Sequence, residues 1–421
     1  MSPLSREPKL GRALLCATTS YPQRPHDSAG RFVAQLNAEY AQAGWRPHII
    51  CPQRGAQRAL CCPLYGFPLL EAPVFGGALR GAGAPDWIQR YPKRALLSAP
   101  LSALSLAYHS RRLASTERAA PRVAHWLIPS AFSFQSVTFA HAHGGDVALL
   151  EALPYAERWA RAIERRVEAI NFVSEDLKRR FEALLGHELS RPCTVIPMGV
   201  EEPRPDLESA LKWRELAGER LLICTVGRLT EIKGHLSLLR AIASLEAQER
   251  RALCWVAAGA GPLESRLRRE AAEAQVPLYL VGQLKAAERD ALLLSAELFV
   301  LPSHRLGRRV EGSPVALMEA LSMGCAVIAS RAGGVEALLS EAPAELRQDL
   351  ELCSPAAVEE LKERLSQRIS DWRALRPEAR QRRREELSRW GARWRWSALG
   401  AAHRRALEEA ISLSSSRPSR P

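Results

Sequence analysis

The sequence predicts an α/β protein made of two doubly wound domains, each a mostly parallel sheet covered by helices on both faces. Short apolar segments alternate with segments of helical length and pattern, which is typical of strand–helix–strand units. This alternation runs twice along the chain, with a break near residue 200. The length of 421 residues is enough for two or three domains of ordinary size.

The first domain opens with an apolar strand at residues 13–18, followed by a helix at about 29–43. Asp27 or Ser28 can cap the start of this helix, and Gly44 follows its end. The other strands of this domain are predicted at residues 47–51, 122–126, 136–141, 169–173 and 194–196.

The second domain repeats the alternation from a strand at residues 221–226 onward. Its other strands are predicted at 253–258, 278–281, 298–301 and 325–329, and its helices at 234–246, 262–274, 286–295, 314–323 and 355–368. In such sheets ligands bind beyond the carboxyl ends of the strands, so the loops there are where chemistry is expected.

The domain limits follow from this alternation and from composition. We assign residues 1–200 to the first domain and 201–396 to the second, joined by a segment rich in proline and charge. A last helix at 397–412 is expected to pack back on the first domain. Residues 413–421 have the serine, arginine and proline composition of a disordered tail.

Charge narrows the choice of partners without deciding it. The formal net charge is +13, carried by 52 arginines and only seven lysines against 46 acidic residues, and most of the excess lies in the first 150 residues. Such a field attracts nucleic acid, anionic lipid or phosphorylated substrates. Arginine spread over solvated faces explains the same number, and charge alone does not separate the two interpretations.

Two classes of protein are disfavoured by the sequence. No segment reaches the 18 or so apolar residues of a membrane span, and the first twenty residues lack the apolar core of a signal peptide. Nine scattered cysteines without a C-x-x-C pair are typical of a reducing compartment. We therefore expect a cytoplasmic protein without a structural zinc site.

The segment from Leu298 to Leu338 is the most informative for chemistry. A strand ends at Leu301, a polar loop follows, and Ser313-Pro314 is a helix-start signal. The free N–H groups of a first helical turn bind anions. Glu311 lies just before this start, and Glu319 lies about 9 Å along the helix from Ser313. Carboxylates suit pairs of sugar hydroxyls because each accepts two donors.

A second segment supplies positive charge. A strand runs into Gly227 and Arg228, and Lys233 follows five residues later, directly before Gly234 and a predicted helix. A planar guanidinium and a point-charge ammonium at a strand-to-helix turn suit a diphosphate. The glycine-rich turn at residues 257–262 adds little alone, since such turns are common in α/β domains.

With these residues the chain resembles a nucleotide-sugar-dependent glycosyltransferase of the GT-B architecture, family 4 in particular. The second half carries the pattern in order, at Gly227-Arg228, Lys233-Gly234, Gly259-Ala260-Gly261-Pro262, Glu311, Glu319, Gly324, Val327 and Gly333-Gly334. The first half matches more loosely, at Tyr21-Pro22, Gly30-Arg31-Phe32-Val33, His125-Trp126, His143-Gly144-Gly145-Asp146, Val173-Ser174-Glu175 and Ile196-Pro197-Met198-Gly199-Val200. The resemblance covers about residues 12–410. It implies two facing Rossmann-like domains, a cleft between them and a C-terminal crossover helix.

The resemblance implies a donor site in the second domain. Arg228 and Lys233 would bind the donor diphosphate, and Glu319 would hold the ribose hydroxyls. Gly312 and Ser313, at the helix start, would also bind the donor.

The resemblance also implies residues near the reaction. Glu311 would contact the transferred sugar, and His143 would lie near the reacting carbon or the outer hydroxyls of the sugar. Gly30, in the acceptor-side domain, would let backbone amides approach the phosphate. His141 is expected to be a strand residue without such a role.

The implied activity is retaining transfer of a sugar from a nucleoside diphosphate to a glycan or lipid-linked acceptor, in cell-surface polysaccharide or glycolipid synthesis such as that of lipopolysaccharide. No metal or other cofactor is expected. The partners would be the nucleotide-sugar donor, that acceptor and the anionic inner face of the cell membrane, without specific nucleic-acid binding. A helical stripe at Leu97, Leu101, Leu104 and Tyr108 could lie on this membrane or could pack on the first sheet.

The alternatives are a sugar epimerase or phosphorylase, or an inactive GT-B-like protein that binds membrane or nucleic acid through its basic first domain. The sequence does not identify the donor base, the sugar or the linkage. It also leaves open the effect of Arg308-Arg309, and of the missing glycine turn after Glu336, on activity.

Overall fold

A computed structural model describes residues 11–22, 30–52, 69–72, 92–306 and 314–416. The chain divides into two compact units. The first ends at Met198 and includes the chain from Gly400 onward, and the second runs from Gly199 to Leu399. Each unit contains one parallel sheet flanked by helices, so the predicted pair of Rossmann-like domains is confirmed.

The sheet of the first unit has seven parallel strands within the described residues, in the order β3-β2-β1-β4-β5-β6-β7. They are β1 Arg12–Thr18, β2 Trp45–Pro52, β3 Leu69–Ala72, β4 Arg122–His125, β5 Val137–Ala142, β6 Val167–Phe172 and β7 Cys193–Val195. The helices of this part are α1 Arg31–Gln42, α2 Pro92–Thr116, the single turn α3 Leu127–Ser130, α4 Gly145–Ala152, α5 Ala156–Arg166 and α6 Glu175–Leu185.

The sheet of the second unit has six parallel strands in the described residues, in the order β10-β9-β8-β11-β12-β13. They are β8 Leu221–Val226, β9 Leu253–Ala258, β10 Leu278–Gly282, β11 Leu298–Leu301, β12 Ala326–Ser330 and β13 Leu350–Cys353. The helices are α7 Leu207–Ala217, α8 His235–Ala243, α9 Ala247–Arg251, α10 Glu264–Glu273, α11 Ala286–Ser295, α12 Val315–Ser322, α13 Val335–Ser340, α14 Val358–Ala374 and α15 Pro377–Gly391. Short 3₁₀ turns occupy Glu231–Lys233, Ala344–Asp349 and Ala392–Trp394.

The strands of the second sheet are apolar on both faces because helices cover both sides. Leu222 and Cys224 of β8 pack into one core cluster, whereas Leu221 and Ile223 of the same strand pack into the other. All six residues of β9 are buried. The near-continuous apolar runs in the sequence are therefore central strands.

The last helix, α16 Trp396–Ser416, runs further than the sequence predicts. Leu413 to Ser416, assigned to a disordered tail, continue the helix, and residues 417–421 lie outside the described part. Within this last turn the hydroxyl of Ser415 donates to the carbonyl of Ile411, a local contact that a helix tolerates.

Helix α2 continues through Pro100. Among the described helices, none combines the length and the apolar character of a membrane-spanning segment.

A further difference concerns the sheet edges. The edge strands β3 and β13 were not predicted. Strand β13 has only four residues, two of them partly exposed, so it lacks the apolar run that marks a central strand.

Candidate functional site

Three loops meet at the carboxyl edge of the second sheet. They follow β8, β9 and β11, which are neighbours in strand order. The backbone N–H of Leu229 donates to the carbonyl of Ala260 (3.1 Å), and that of His304 donates to Ile232 (2.8 Å). The loop after β8 is therefore held on both sides, by the loop after β9 and by the loop after β11.

Glycines permit this close approach. Gly259 has a φ of 145°, and a Cβ there would clash with the carbonyl oxygen of Gly227. A Cβ on Gly261 would clash with the carbonyl oxygen of Leu229. The glycine-rich turn that was weak evidence in the sequence is thus a packing requirement of this edge.

The two predicted cations lie at this edge. Lys233 ends the 3₁₀ turn Glu231–Lys233, and its side chain folds back over the end of β8. A Cβ built on Gly227 would lie 3.5 Å from Cε and 4.0 Å from Nζ of Lys233. Arg228 is exposed one residue after Gly227. A guanidinium and an ammonium therefore follow the same strand.

The positive charge of Lys233 affects the pKa of a neighbouring histidine. His235 is buried at the start of α8, and its pKa is lowered to about 3 by burial and by the positive charge of Lys233. The imidazole of His235 is consequently neutral at physiological pH. The side chain of Lys233 therefore supplies positive charge at this turn, next to Gly227 at the end of β8.

Glu319 lies on α12, the helix that follows β11. Its Oε1 is 3.1 Å from Nη1 of Arg289, which lies on α11. Both side chains are mostly buried, with exposed fractions of 16% for Glu319 and 20% for Arg289. Burial acts to lower the pKa of Arg289, but the carboxylates of Glu319 and Asp290 raise it above its ordinary value. The sequence did not indicate Arg289.

The loop before α12 lies mostly outside the described residues. Glu311, Gly312 and Ser313 are among the residues not described, as are Arg308 and Arg309. The predicted helix start is off by one residue. Pro314 occupies the N-cap with a ψ of 68°, and Val315 is the first helical residue.

His143 lies in the first unit, just after β5. Its ring is packed between Phe32 and Trp126, at centroid distances of 4.9 and 4.8 Å, and its Nε2 is 3.3 Å from Nδ1 of His125. Burial, His125 and His403 lower the pKa of His143 well below its ordinary value. A neutral imidazole can donate or accept a hydrogen bond but brings no positive charge.

Asp146 fixes the loop that carries His143. Its buried carboxylate accepts from the backbone N–H groups of Leu127 (2.8 Å), His143 (3.1 Å), Gly144 (2.8 Å) and Val147 (3.0 Å). It therefore ties the loop after β4 to the loop after β5. The sequence motif included Asp146 but did not predict this role.

Gly30 and His141 have structural explanations. Gly30 has a φ of 74° before α1, and a Cβ there would clash with the carbonyl oxygen of Ser20. His141 is a buried residue of β5 whose Nε2 is 2.9 Å from the hydroxyl of Tyr40, as expected for a strand residue. In the described part of the chain, no group of three or more His, Cys, Asp or Glu side chains could hold a metal ion.

The chain is similar to known proteins in sequence and in fold. Residues 209–388, within the second unit, match the family model for glycosyl transferases group 1. The chain is 30% identical over 204 residues to the GDP-mannose-dependent alpha-(1-6)-phosphatidylinositol monomannoside mannosyltransferase of Mycolicibacterium smegmatis, covering 46% of this chain and 52% of that protein. It is 28% identical over 290 residues to the enzyme of the same name from Mycobacterium tuberculosis, covering 66% of this chain and 73% of that protein.

A solved structure of a glycosyltransferase involved in lipopolysaccharide biosynthesis is similar in fold, with a TM-score of 0.63 and 15% identity over 96% of this chain and 100% of that one. Of the two mannosyltransferases, the chain spans about half the length of the first and about three quarters of the second. These matches confirm the resemblance to the GT-B glycosyltransferases.

Proposed function

We propose that this protein is a retaining glycosyltransferase of the family 4 type that moves a sugar from a nucleoside diphosphate to a glycan or lipid-linked acceptor. The observation that supports this most directly is the Lys233 side chain folded over Gly227, at the edge where the loops after β8, β9 and β11 meet. That edge is where doubly wound sheets bind ligands.

The chemistry follows from the charge of the leaving group. When the bond from sugar to phosphate breaks, negative charge grows on the departing nucleoside diphosphate. The ammonium of Lys233 and the guanidinium of Arg228 would stabilise it from fixed positions, with little reorganisation during the reaction. In this proposal the two side chains supply the positive charge, and no metal ion is required.

Glu319 would accept hydrogen bonds from the two ribose hydroxyls of the donor, because an ionised carboxylate has two acceptor oxygens and no donor. The contact of Glu311 with the sugar, donor binding by Gly312 and Ser313, and the roles of His143 and Gly30 remain predictions. Because the relatives above are named as GDP-mannose-dependent and act on a phosphatidylinositol mannoside, GDP-mannose and a glycolipid acceptor are the first pair to test.

Donor binding is tested by calorimetric titration with GDP, UDP, ADP and their sugar conjugates, with and without EDTA. We expect the nucleotides of one base to bind, with the same affinity in the presence and absence of EDTA. Lys233→Ala should weaken binding of the diphosphate much more than binding of the nucleoside. Lys212→Ala is the matched control, because Lys212 is an exposed lysine of α7 in the same unit. Equal losses for nucleoside and diphosphate would contradict the assignment of Lys233, and a loss with EDTA would contradict metal independence.

The stereochemical outcome is tested separately. The linkage in the product, made from an α-linked donor and read by NMR from the anomeric coupling, should keep the α configuration. Inversion would contradict the retaining assignment while leaving donor binding intact. No nucleotide binding at all would favour the non-enzymatic alternative.

We further propose that the protein contacts the anionic inner face of the membrane through a surface of the first unit. Leu104 and Tyr108 on α2 are 66% and 62% exposed, and Tyr155 and Trp159 at α5 are 68% and 42% exposed. The stripe on α2 is therefore not packed on the sheet at these positions.

Contacts join the two helices into one surface, which we call the α2–α5 face. Arg111 of α2 donates to the carbonyl of Phe132 (3.4 Å), and the ring of Phe132 meets that of Trp159 edge-on at 5.5 Å between centroids. Exposed arginines lie on the same two helices, at Arg111, Arg112, Arg158, Arg161 and Arg165, and the guanidinium of Arg158 lies 4.9 Å from the ring centroid of Tyr155. Exposed aromatic groups on helices that also carry cations suit an interface with anionic lipid.

Flotation with vesicles tests this surface. The protein should float with phosphatidylglycerol vesicles more than with phosphatidylcholine vesicles, and Leu104→Ser with Tyr108→Ser should reduce flotation several-fold. The control pair is Leu207→Ser with Leu211→Ser, two leucines on α7 that are equally exposed in the other unit. An equal effect of both pairs would contradict the α2–α5 face as the membrane contact.

A further inference from the structure

The ion pair between Arg289 and Glu319 is one end of a chain of contacts in the second unit. Asp290 Oδ1 accepts from both Nε (3.2 Å) and Nη2 (2.8 Å) of Arg289. The other carboxylate oxygen of Asp290 accepts from the backbone N–H of Arg204 (2.9 Å). Asp290 is 7% exposed. The guanidinium is therefore held at two of its nitrogens, and Nη1 is directed at Glu319.

Such an anchored guanidinium restricts the carboxylate that it contacts. Arginine has a planar fork, so fixing Nε and Nη2 on Asp290 also fixes the direction of Nη1. Glu319 then loses less side-chain freedom on binding a ligand, because part of that freedom is already lost in the free protein. A cation beside a mostly buried carboxylate also favours its ionised form.

We infer that Arg289 is a positioning residue for Glu319, one that orients this carboxylate and keeps it ionised for the hydroxyls of a bound nucleotide. This inference rests on the proposed function, since it assumes that Glu319 binds the donor. Asp290 anchors Arg289 in turn. The three residues form a relay that starts at the backbone of Arg204 and ends at the ligand.

Two other described arginines near α12 are engaged by other groups. Arg384 of α15 donates to the carbonyls of Leu293 and Ala296, and Arg395 donates to the carbonyl of Ser322 and lies 3.3 Å from the carboxylate of Glu202. The charges that act on Arg289 itself are the carboxylates of Glu319, Asp290 and Glu201.

This arrangement predicts a pH signature. Removing Arg289 should raise the pKa of the Glu319 carboxyl, because it takes away a cation 3.1 Å from a mostly buried carboxylate. A protonated carboxyl accepts fewer hydrogen bonds. The affinity of an Arg289→Met variant for a nucleoside diphosphate should then fall more steeply than that of the wild type as the pH is lowered from 8 to 6, because the wild type changes only through protonation of the ligand's terminal phosphate, whose pKa is about 6.

The experiment is calorimetric titration of GDP and UDP into the full chain at pH 6, 7 and 8. Arg289→Met should weaken binding about tenfold or more at pH 7, and further at pH 6. Arg289→Lys keeps the positive charge. Its affinity for the nucleoside diphosphate should be intermediate, with the same pH dependence as that of the wild type. Arg214→Met is the matched control, an arginine of the same unit that is half exposed and paired with Glu297. It should bind as the wild type does.

A Glu319→Gln background separates positioning from folding. Glutamine has no charge to hold, so Arg289→Met should add little to the loss caused by Glu319→Gln and should bring no new pH dependence. Full additivity would overturn the role of Arg289. If Arg289→Met does not fold, Asp290→Asn tests the same relay by releasing the guanidinium, and wild-type affinity in that variant would also overturn it.

Two failures are distinguishable. If the wild type binds neither GDP nor UDP, and does not bind ADP in the donor titration above, the donor-site assignment is wrong and the role of Arg289 falls with it. If the wild type binds one of them and Arg289→Met binds it equally well at all three pH values, only the role of Arg289 is wrong.

Discussion

Gly234 and Pro302 pack backbone against backbone. A Cβ on residue 234 would clash with the carbonyl oxygen of Pro302, and Gly234 has a φ of 69°. Gly234 ends the turn that carries Lys233, and Pro302 follows strand β11. The position of the lysine therefore depends on a glycine that lets two neighbouring loops meet.

Gly234→Ala should destabilise the second unit and displace Lys233. The left-handed backbone costs an alanine about 1–2 kcal/mol, and the clash with backbone atoms adds to this, so we expect about 3 kcal/mol or more in total. Gly282→Ala is the matched control, because Gly282 has the same φ of 69° but nothing within 4 Å of its added Cβ. Urea unfolding measures the loss of unfolding free energy in both variants. Equal losses would mean that the contact with Pro302 adds nothing.

The sequence predicted what depends on local pattern. The strand–helix alternation comes from apolar segments that any buried parallel strand needs, so β8, β9 and β11 were found close to their observed limits. The sequence also placed Arg228 and Lys233 at the carboxyl edge of the second sheet because they follow a strand end, and their role in donor binding stays a prediction. That position is fixed by the chain itself and needs no knowledge of distant contacts.

What the sequence did not predict depends on contacts between distant segments. Arg289 looks like one more arginine on a helix, and only the fold brings it to Glu319, thirty residues further on. The role of Asp146 arises because two loops meet at one carboxylate. Strand β13 is short and partly exposed, so its edge position is set by pairing with β12 rather than by an apolar run.

Arg368 holds β13 in place. Its side chain, on α14, is 5% exposed and donates to Asp349 (2.8 Å), to Glu351 (2.7 Å) and to the carbonyl of Gln348 (2.7 Å). Arg368→Met removes the cation from two carboxylates, one of them buried. Breaking a buried pair typically costs about 3–5 kcal/mol. Because Arg383 remains 3.6 Å from Asp349 and Arg364 remains 3.8 Å from Glu351, we expect a loss near the lower end of this range.

Urea unfolding at neutral pH tests this prediction. Arg382→Met is the control, since Arg382 is an 81% exposed arginine paired on its own helix and should change stability by less than about 1 kcal/mol. If Arg368→Met is equally mild, the ion pairs of Arg368 do not stabilise the sheet edge.

Four buried or half-buried histidines make the first unit sensitive to acid. They are His125, His141, His143 and His403. Burial and, second, the charge of His403 lower the pKa of His125 to about 3, and burial lowers that of His403 to about 4, with the bond to the Pro197 carbonyl acting against the shift. In the unfolded chain both titrate near 6.5. Between pH 6.5 and about 4 the unfolded state therefore binds more protons, and stability falls as the pH is lowered.

The loss approaches about 1.4 kcal/mol per pH unit for each such histidine well below pH 6.5. Urea midpoints at pH 7.5, 6.5 and 5.5 measure it. His403→Gln should show a smaller loss between pH 7.5 and 5.5 than the wild type, and His187→Gln, at a half-exposed histidine, should show the wild-type loss. The same loss in His403→Gln as in the wild type would contradict the contribution of this ring.

Asp146 should stabilise the first unit through hydrogen bonds to the backbone. Asp146→Ala leaves the N–H groups of Leu127 and Gly144 without their acceptor, at about 1–3 kcal/mol for each that stays buried and unpaired. Asp146→Asn keeps one oxygen, which can serve one of the two loops, so its loss should lie between those of the wild type and the alanine variant.

Hydrogen exchange distinguishes this anchor from a general loss of stability. In Asp146→Asn, the amide of either Leu127 or Gly144 should exchange much faster than in the wild type, while the other keeps its protection, because one amide oxygen cannot reach both loops. Glu157→Ala, at an exposed carboxylate of the neighbouring helix α5, should leave both amides protected. Uniform acceleration over the whole first unit in Asp146→Asn would show that the carboxylate acts on global stability, and the loop that carries His143 would then be held by other contacts.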